Sequence, residues 1–87
     1  MKRTILSVKY EIDVQPKATK PRFSVPQDVC RLFGVHNEDE LHLVITDTAE
    51  TRLYAGMKHL MSGKEIYGKD LQKMKPCQRI RVEVSLP

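Results

Sequence analysis

Residues 22–46 read RFSVPQDVCRLFGVHNEDELHLVIT. Each change of backbone conformation in this stretch is marked by side-chain chemistry. Ser24 and Gln27 have the spacing of a capping box, a hydroxyl at the N-cap and an amide three residues on. Pro26 falls in the first helical turn, where its missing N–H costs nothing. Val25, Val29, Leu32 and Phe33 recur at helical spacing and predict one apolar face. Gly34 then supplies the left-handed stop. His36 to Glu40 is polar and reads as a turn. Leu41, Leu43 and Ile45 alternate with His42, Val44 and Thr46, the period of a strand.

Working outward, residues 4–14 (TILSVKYEIDV) place Leu6, Val8, Tyr10, Ile12 and Val14 on one side of a strand and Ser7, Lys9, Glu11 and Asp13 on the other. Gln15 to Pro21 is a basic loop bracketed by Pro16 and Pro21. Asp47 to Glu50 is a hairpin turn, and residues 51–55 return as a strand. Strand, helix, strand and strand thus fill residues 4–56. Beyond them, Gly56, Gly63 and Gly68 punctuate a segment containing Ile66 and Tyr67. Residues 68–75 predict one or two helical turns with Leu71 and Met74 inward, stopped by Pro76. Residues 79–86 (RIRVEVSL) alternate again, Ile80, Val82, Val84 and Leu86 against Arg79, Arg81, Glu83 and Ser85. This last strand is expected to pair with the first or with its mate across a dimer. The expected division is a core over 1–56 and an extension over 57–87 packed on the same domain.

A chain of 87 residues buries only about 60–65% of its unfolded surface, so dimerisation is a natural remedy. No apolar run approaches a transmembrane length, and no apolar segment follows the basic Met1-Lys2-Arg3 as in a secretory signal. The expectation is a cytoplasmic protein with two separate, reduced thiols, Cys30 and Cys77. The net charge of +4 is unevenly laid out. Residues 1–37 hold seven Lys or Arg against three Asp or Glu, residues 38–50 none against five, and residues 51–87 eight against three. Basic ends around an acidic middle suit an anionic partner, nucleic acid first.

The order Arg22, Phe23, Val25, Pro26, Val29, Phe33, Gly34, Val35, with Asp39 near the turn, resembles the AbrB/MazE-like (SpoVT-AbrB) swapped-hairpin DNA-binding domains over roughly the first two thirds of the chain. The resemblance implies a mainly β, mixed β/α fold with short helices, built as a swapped-hairpin barrel homodimer, here with a C-terminal extension ending in a strand. It implies binding of double-stranded DNA as a transcriptional regulator or antitoxin-like autorepressor, without a cofactor or catalysis. Arg22 and Arg31 match positions where the family places DNA-contacting arginines. Cys30 stands where relatives often carry a further Arg, and Lys17 and Lys20 offer replacement charge. Lys9 extends the same patch from the first strand. The alternative is a protein-interaction module or non-catalytic subunit, with residues 57–87 docking a toxin or other protein.

Other chemistries find little support. Ser62-Gly63-Lys64 lacks the phosphate-loop pattern, since Lys58 and Glu65 stand where Gly and Ser/Thr are needed; a tight turn before a short strand fits better. His36, His42, His59, Cys30 and Cys77 match no metal-ligand spacing. Cys30, near a helix start that lowers thiol pKa values, has no base paired with it in the sequence. Tyr10 and Tyr54 read as core or dimer contacts.

Overall fold

The computed structural model describes residues 7–16 and 20–87. Residues 4–6 of the expected first strand, the basic terminus Lys2-Arg3 and Lys17 lie outside them. The chain is mainly β with one short helix. Its elements are β1 (Val8–Asp13), β2 (Arg22–Ser24), α1 (Gln27–Phe33), β3 (Glu40–Asp47), β4 (Arg52–His59), β5 (Glu65–Tyr67), a 3-10 turn (Lys69–Leu71) and β6 (Arg79–Ser85).

Four strands form an antiparallel sheet in the order β1-β6-β3-β4, and β2 pairs with β5 in a separate antiparallel ribbon. The alternation in β1, β3 and β6 sets the sheet's two faces, because successive side chains point to opposite sides. Leu41, Leu43, Ile45, Ile80, Val82 and Val84 are fully buried on the inner face. The ribbon and α1 cover that face with Phe23, Val25, Val29, Cys30 and Ile66. Tyr10 fastens the two layers: its hydroxyl donates to the Ser24 carbonyl at 3.1 Å.

Several local expectations are corrected. The helix begins one residue later than Pro26, which is itself the N-cap, and no side chain caps it. Ser24 belongs to β2, so its hydroxyl is not the cap; the Pro26 carbonyl instead accepts from the Val29 and Cys30 amides at 3.0 and 3.1 Å. Leu32 is 51% exposed rather than part of the apolar face, because a seven-residue helix against a narrow ribbon buries only Val29 and Cys30 fully. Gly34 does end α1 in the left-handed region at φ 66°, with its amide donating to Arg31 and that of Val35 to Cys30. The turn at 62–64 precedes β5 as expected, with Gly63 and Lys64 both at positive φ.

The C-terminal residues do more than pack on the rest. The division at 56/57 falls inside β4, and β6 pairs with β1 on one side and β3 on the other within one chain. Leu71 and Met74 point inward as expected and anchor the segment between β5 and β6. Sixteen apolar residues from both halves share a single core.

Candidate nucleic-acid interface

The four described candidates occupy different surroundings. Lys20 is exposed just before β2, and Arg31 is exposed in the last turn of α1. Neither has a carboxylate partner among the described residues. Arg22 is held within the chain. Its Nη1 lies 3.2 Å from Glu65 Oε1, and its guanidinium stacks 4.6 Å from the centroid of the Tyr67 ring. Gln15 Nε2 donates to the other Glu65 oxygen. Arg22 thus cross-links β2 to β5, and its Nε is buried without a partner.

Lys9 stands apart from these. It points from the outer face of the sheet, opposite Glu83 in the β1–β6 register, while Arg31 lies on the layer beyond the core. The outer face of β1 and β6 is a charge ladder. Arg81 Nε donates to Glu11 at 3.0 Å, and Arg79 donates to Glu11 and Asp13 at 3.3 Å each. Arg81 also reaches Glu50 at 3.9 Å. Hydrogen bonds from Arg81, then Arg79, hold the Glu11 carboxyl below its ordinary range. The same carboxylates hold Arg79 above its ordinary value, Asp13 first and then Glu11. Opposite charges across a strand pair stabilise it modestly and leave this face close to neutral.

Two groups of cations escape the sequence-level candidate set. Lys64 reaches the α1 side: its carbonyl accepts from Val25 and its Nζ lies 3.4 Å from Asn37 Oδ1. The second group lines the β4 edge. Arg52 and Lys73 are exposed there and share one shallow cleft with Leu53, Tyr54, Ala55 and Asp70, and Lys69 and Lys75 are exposed on the segment that carries Lys73. The excess of cations in residues 51–87 is the signal that points to them, but the register of the sheet is needed to separate them from Arg79 and Arg81.

Asp70 belongs to a fixed cluster in that cleft. Lys58 Nζ donates to Asp70 Oδ1 at 2.8 Å, directly over Gly68, where a Cβ would collide with both groups. Tyr54 folds back across Gly56 and donates to the Met57 carbonyl at 3.3 Å. The Lys58 ammonium holds the Asp70 carboxyl below its ordinary range. Burial, then the Asp70 charge, push the Tyr54 phenol up. A carboxylate with a depressed folded-state pKa contributes stability above its unfolded value of 3.8 and loses it as pH falls through the folded value. The pair is partly exposed, so the contribution is below about 1 kcal/mol. The expected result is a smaller fall in Tm between pH 5 and pH 3 for Asp70→Asn than for the parent, read by thermal melts. An equal fall in both removes Asp70 from the account.

The catalytic and metal candidates separate in space. Burial pushes the Cys30 thiol up despite the nearby Lys64 charge, in keeping with a small buried residue on the helix face. Cys77 is exposed and free. Among the described residues no three His, Cys, Asp or Glu side chains come together as a metal site. No helix among them is long and apolar enough to cross a membrane.

Comparison with known proteins returns nothing: no family model, no curated protein and no solved structure matches this chain.

Proposed function

We propose that the chain binds double-stranded DNA as a homodimer, in the manner of a transcriptional regulator or autorepressor. The observation that carries this reading is the segregation of charge. The acids of β1 and β5, Glu11, Asp13 and Glu65, are taken up by Arg79, Arg81 and Arg22, whereas Lys20 and Arg31 stand exposed on the β2–α1 side. Free cations on one side of a small rigid domain suit a phosphate backbone, with contacts that position the duplex and few that read it. Arg22 serves this surface indirectly by fixing the loop's return into β2. The dimer is of the swapped-hairpin kind, each chain lending β3 and β4 to the other; such an exchange reuses the contacts one chain makes with itself.

The test is fluorescence anisotropy on a labelled random duplex over a salt series, with mass checked by light scattering. The expected result is a dimer whose log affinity falls linearly with log salt. Lys20→Ala with Arg31→Ala removes two contacts from each of the two chains and makes that slope shallower by about 3.6, since each phosphate contact contributes about 0.9. A dimer that ignores duplex at low salt overturns the reading. That outcome favours a protein-docking module, for which β4, paired on one side only, offers an open edge.

A further inference from the structure

We infer that the cleft between the β4 edge and the segment 69–75 is a second contact for the phosphate backbone of the bound duplex, formed by Arg52 and Lys73, with Lys69 and Lys75 exposed on the same segment. The inference rests on the DNA-binding reading and extends it to a surface built from the C-terminal half.

Charge accounting in space comes first. Residues 51–78 contain six Lys or Arg and two carboxylates, Glu65 and Asp70. Both carboxylates are already engaged, Glu65 with Arg22 and Gln15, Asp70 with Lys58. Arg52, Lys69, Lys73 and Lys75 have no acidic partner among the described residues, unlike Arg79 and Arg81 on the outer face. With the one acid of the cleft, Asp70, already paired with Lys58, the unmatched cations present a net positive field to an approaching anion.

Rigidity comes second. The lysines do not sit on a free tail. Leu71 and Met74, buried at 0% and 2% exposure, pin the segment to the core, and the Lys58–Asp70 pair over Gly68 pins its start to β4. Lys69, Lys73 and Lys75 therefore face solvent from a held backbone, and Arg52 meets Lys73 across the cleft. Holding cations in place lowers the entropy lost when an anion is bound.

The surroundings select the anion's class. Leu32, Met57 and Leu86 are the exposed large apolar residues among those described, and none lines the cleft. A surface that inserts into a bilayer needs large, well-exposed apolar side chains beside its cations; here Leu53 and Tyr54 line the floor but are half-buried, which leaves Arg52 and Lys73 as the groups that reach solvent and suits a backbone of phosphates in water.

The experiment compares the full chain with Arg52→Ala/Lys73→Ala and with Arg52→Lys/Lys73→Arg in the same anisotropy salt series, alongside anionic phosphatidylserine vesicles. Both positions are exposed, and thermal melts confirm that each variant folds. The expected result for the alanine pair, which removes two contacts from each of the two chains, is a slope shallower by about 3.6 and weaker binding on every duplex sequence tried. The charge-conserving pair keeps the parent slope. A parent slope in the alanine pair, while Lys20→Ala/Arg31→Ala still loses affinity, overturns the cleft and leaves the DNA reading standing. No duplex binding by the parent overturns both. Vesicle binding that depends on Arg52 and Lys73, with no duplex binding, reassigns the cleft to membrane surfaces and overturns the inference.

Discussion

A chain cut after Gln78 is expected to lose its cooperative thermal transition and its near-UV signal. The cut removes β6, which lies between β1 and β3 and pairs with both. Ile80, Val82 and Val84 are fully buried, and burying such a side chain contributes about 1.5–3 kcal/mol. Three of them approach or exceed the whole stability of a domain of this size, about 0.05–0.15 kcal/mol per residue. The inner faces of β1 and β3 are opened at the same time. Circular dichroism melts check this, and a sharp transition in the shortened chain contradicts it. The same reasoning warns against deleting residues 57–87 to ask which half binds a partner. Such a deletion takes away a central strand and the last three of the eight residues of β4, so a lost partner then reports unfolding. Point substitutions at exposed cations are the clean instrument.

Phe23→Ala is expected to cost about 3–5 kcal/mol, the range for emptying a buried aromatic site. Phe23 has no exposed surface and sits at the middle of β2, a three-residue strand paired only with β5. It belongs to the one buried core that the ribbon shares with the sheet, so removing its ring leaves a cavity there. Urea unfolding gives the number. Leu32→Ala is the comparison, since Leu32 is half exposed and its loss costs under about 1 kcal/mol. Similar losses at the two positions contradict the assignment of Phe23 to the core.

Much of this arrangement was legible in the residues. Strict alternation gave β1, β3 and β6, because each has one face on the core and one on water. Gly34 and Asp47 marked their turns for local reasons: Gly34 takes a left-handed conformation, and Asp47 Oδ1 accepts from the Ala49 and Thr51 amides. β4 runs to His59, four residues beyond the expected end at Ala55, because its inward positions include Gly56 and Lys58, which break the apolar pattern. The tight turn at 62–64 announces a short strand, but the pairing of β2 with β5 is not legible in the sequence. The ribbon is three residues long on each side, and its strongest tie, Arg22 to Glu65, spans 43 positions. The same distance hid the state of the candidate site. Arg22 looked free and is engaged; Lys9 looked like part of a basic patch and faces Glu83. The Lys69–Lys75 segment stood out only as a count of charges until the pairing of the acids around it was known.

The place of β6 also sets a timetable for synthesis. The ribosome makes β1, α1, β3 and β4 well before residues 79–85 emerge, at about 5–20 residues per second. Until then β1 and β3 lack the strand that joins them, and each presents an unpaired edge beside an apolar face. Contacts this distant in sequence slow folding after synthesis as well. For a few seconds each nascent chain therefore displays the surfaces that holdase chaperones, or the hairpins of a neighbouring nascent copy, are able to grip.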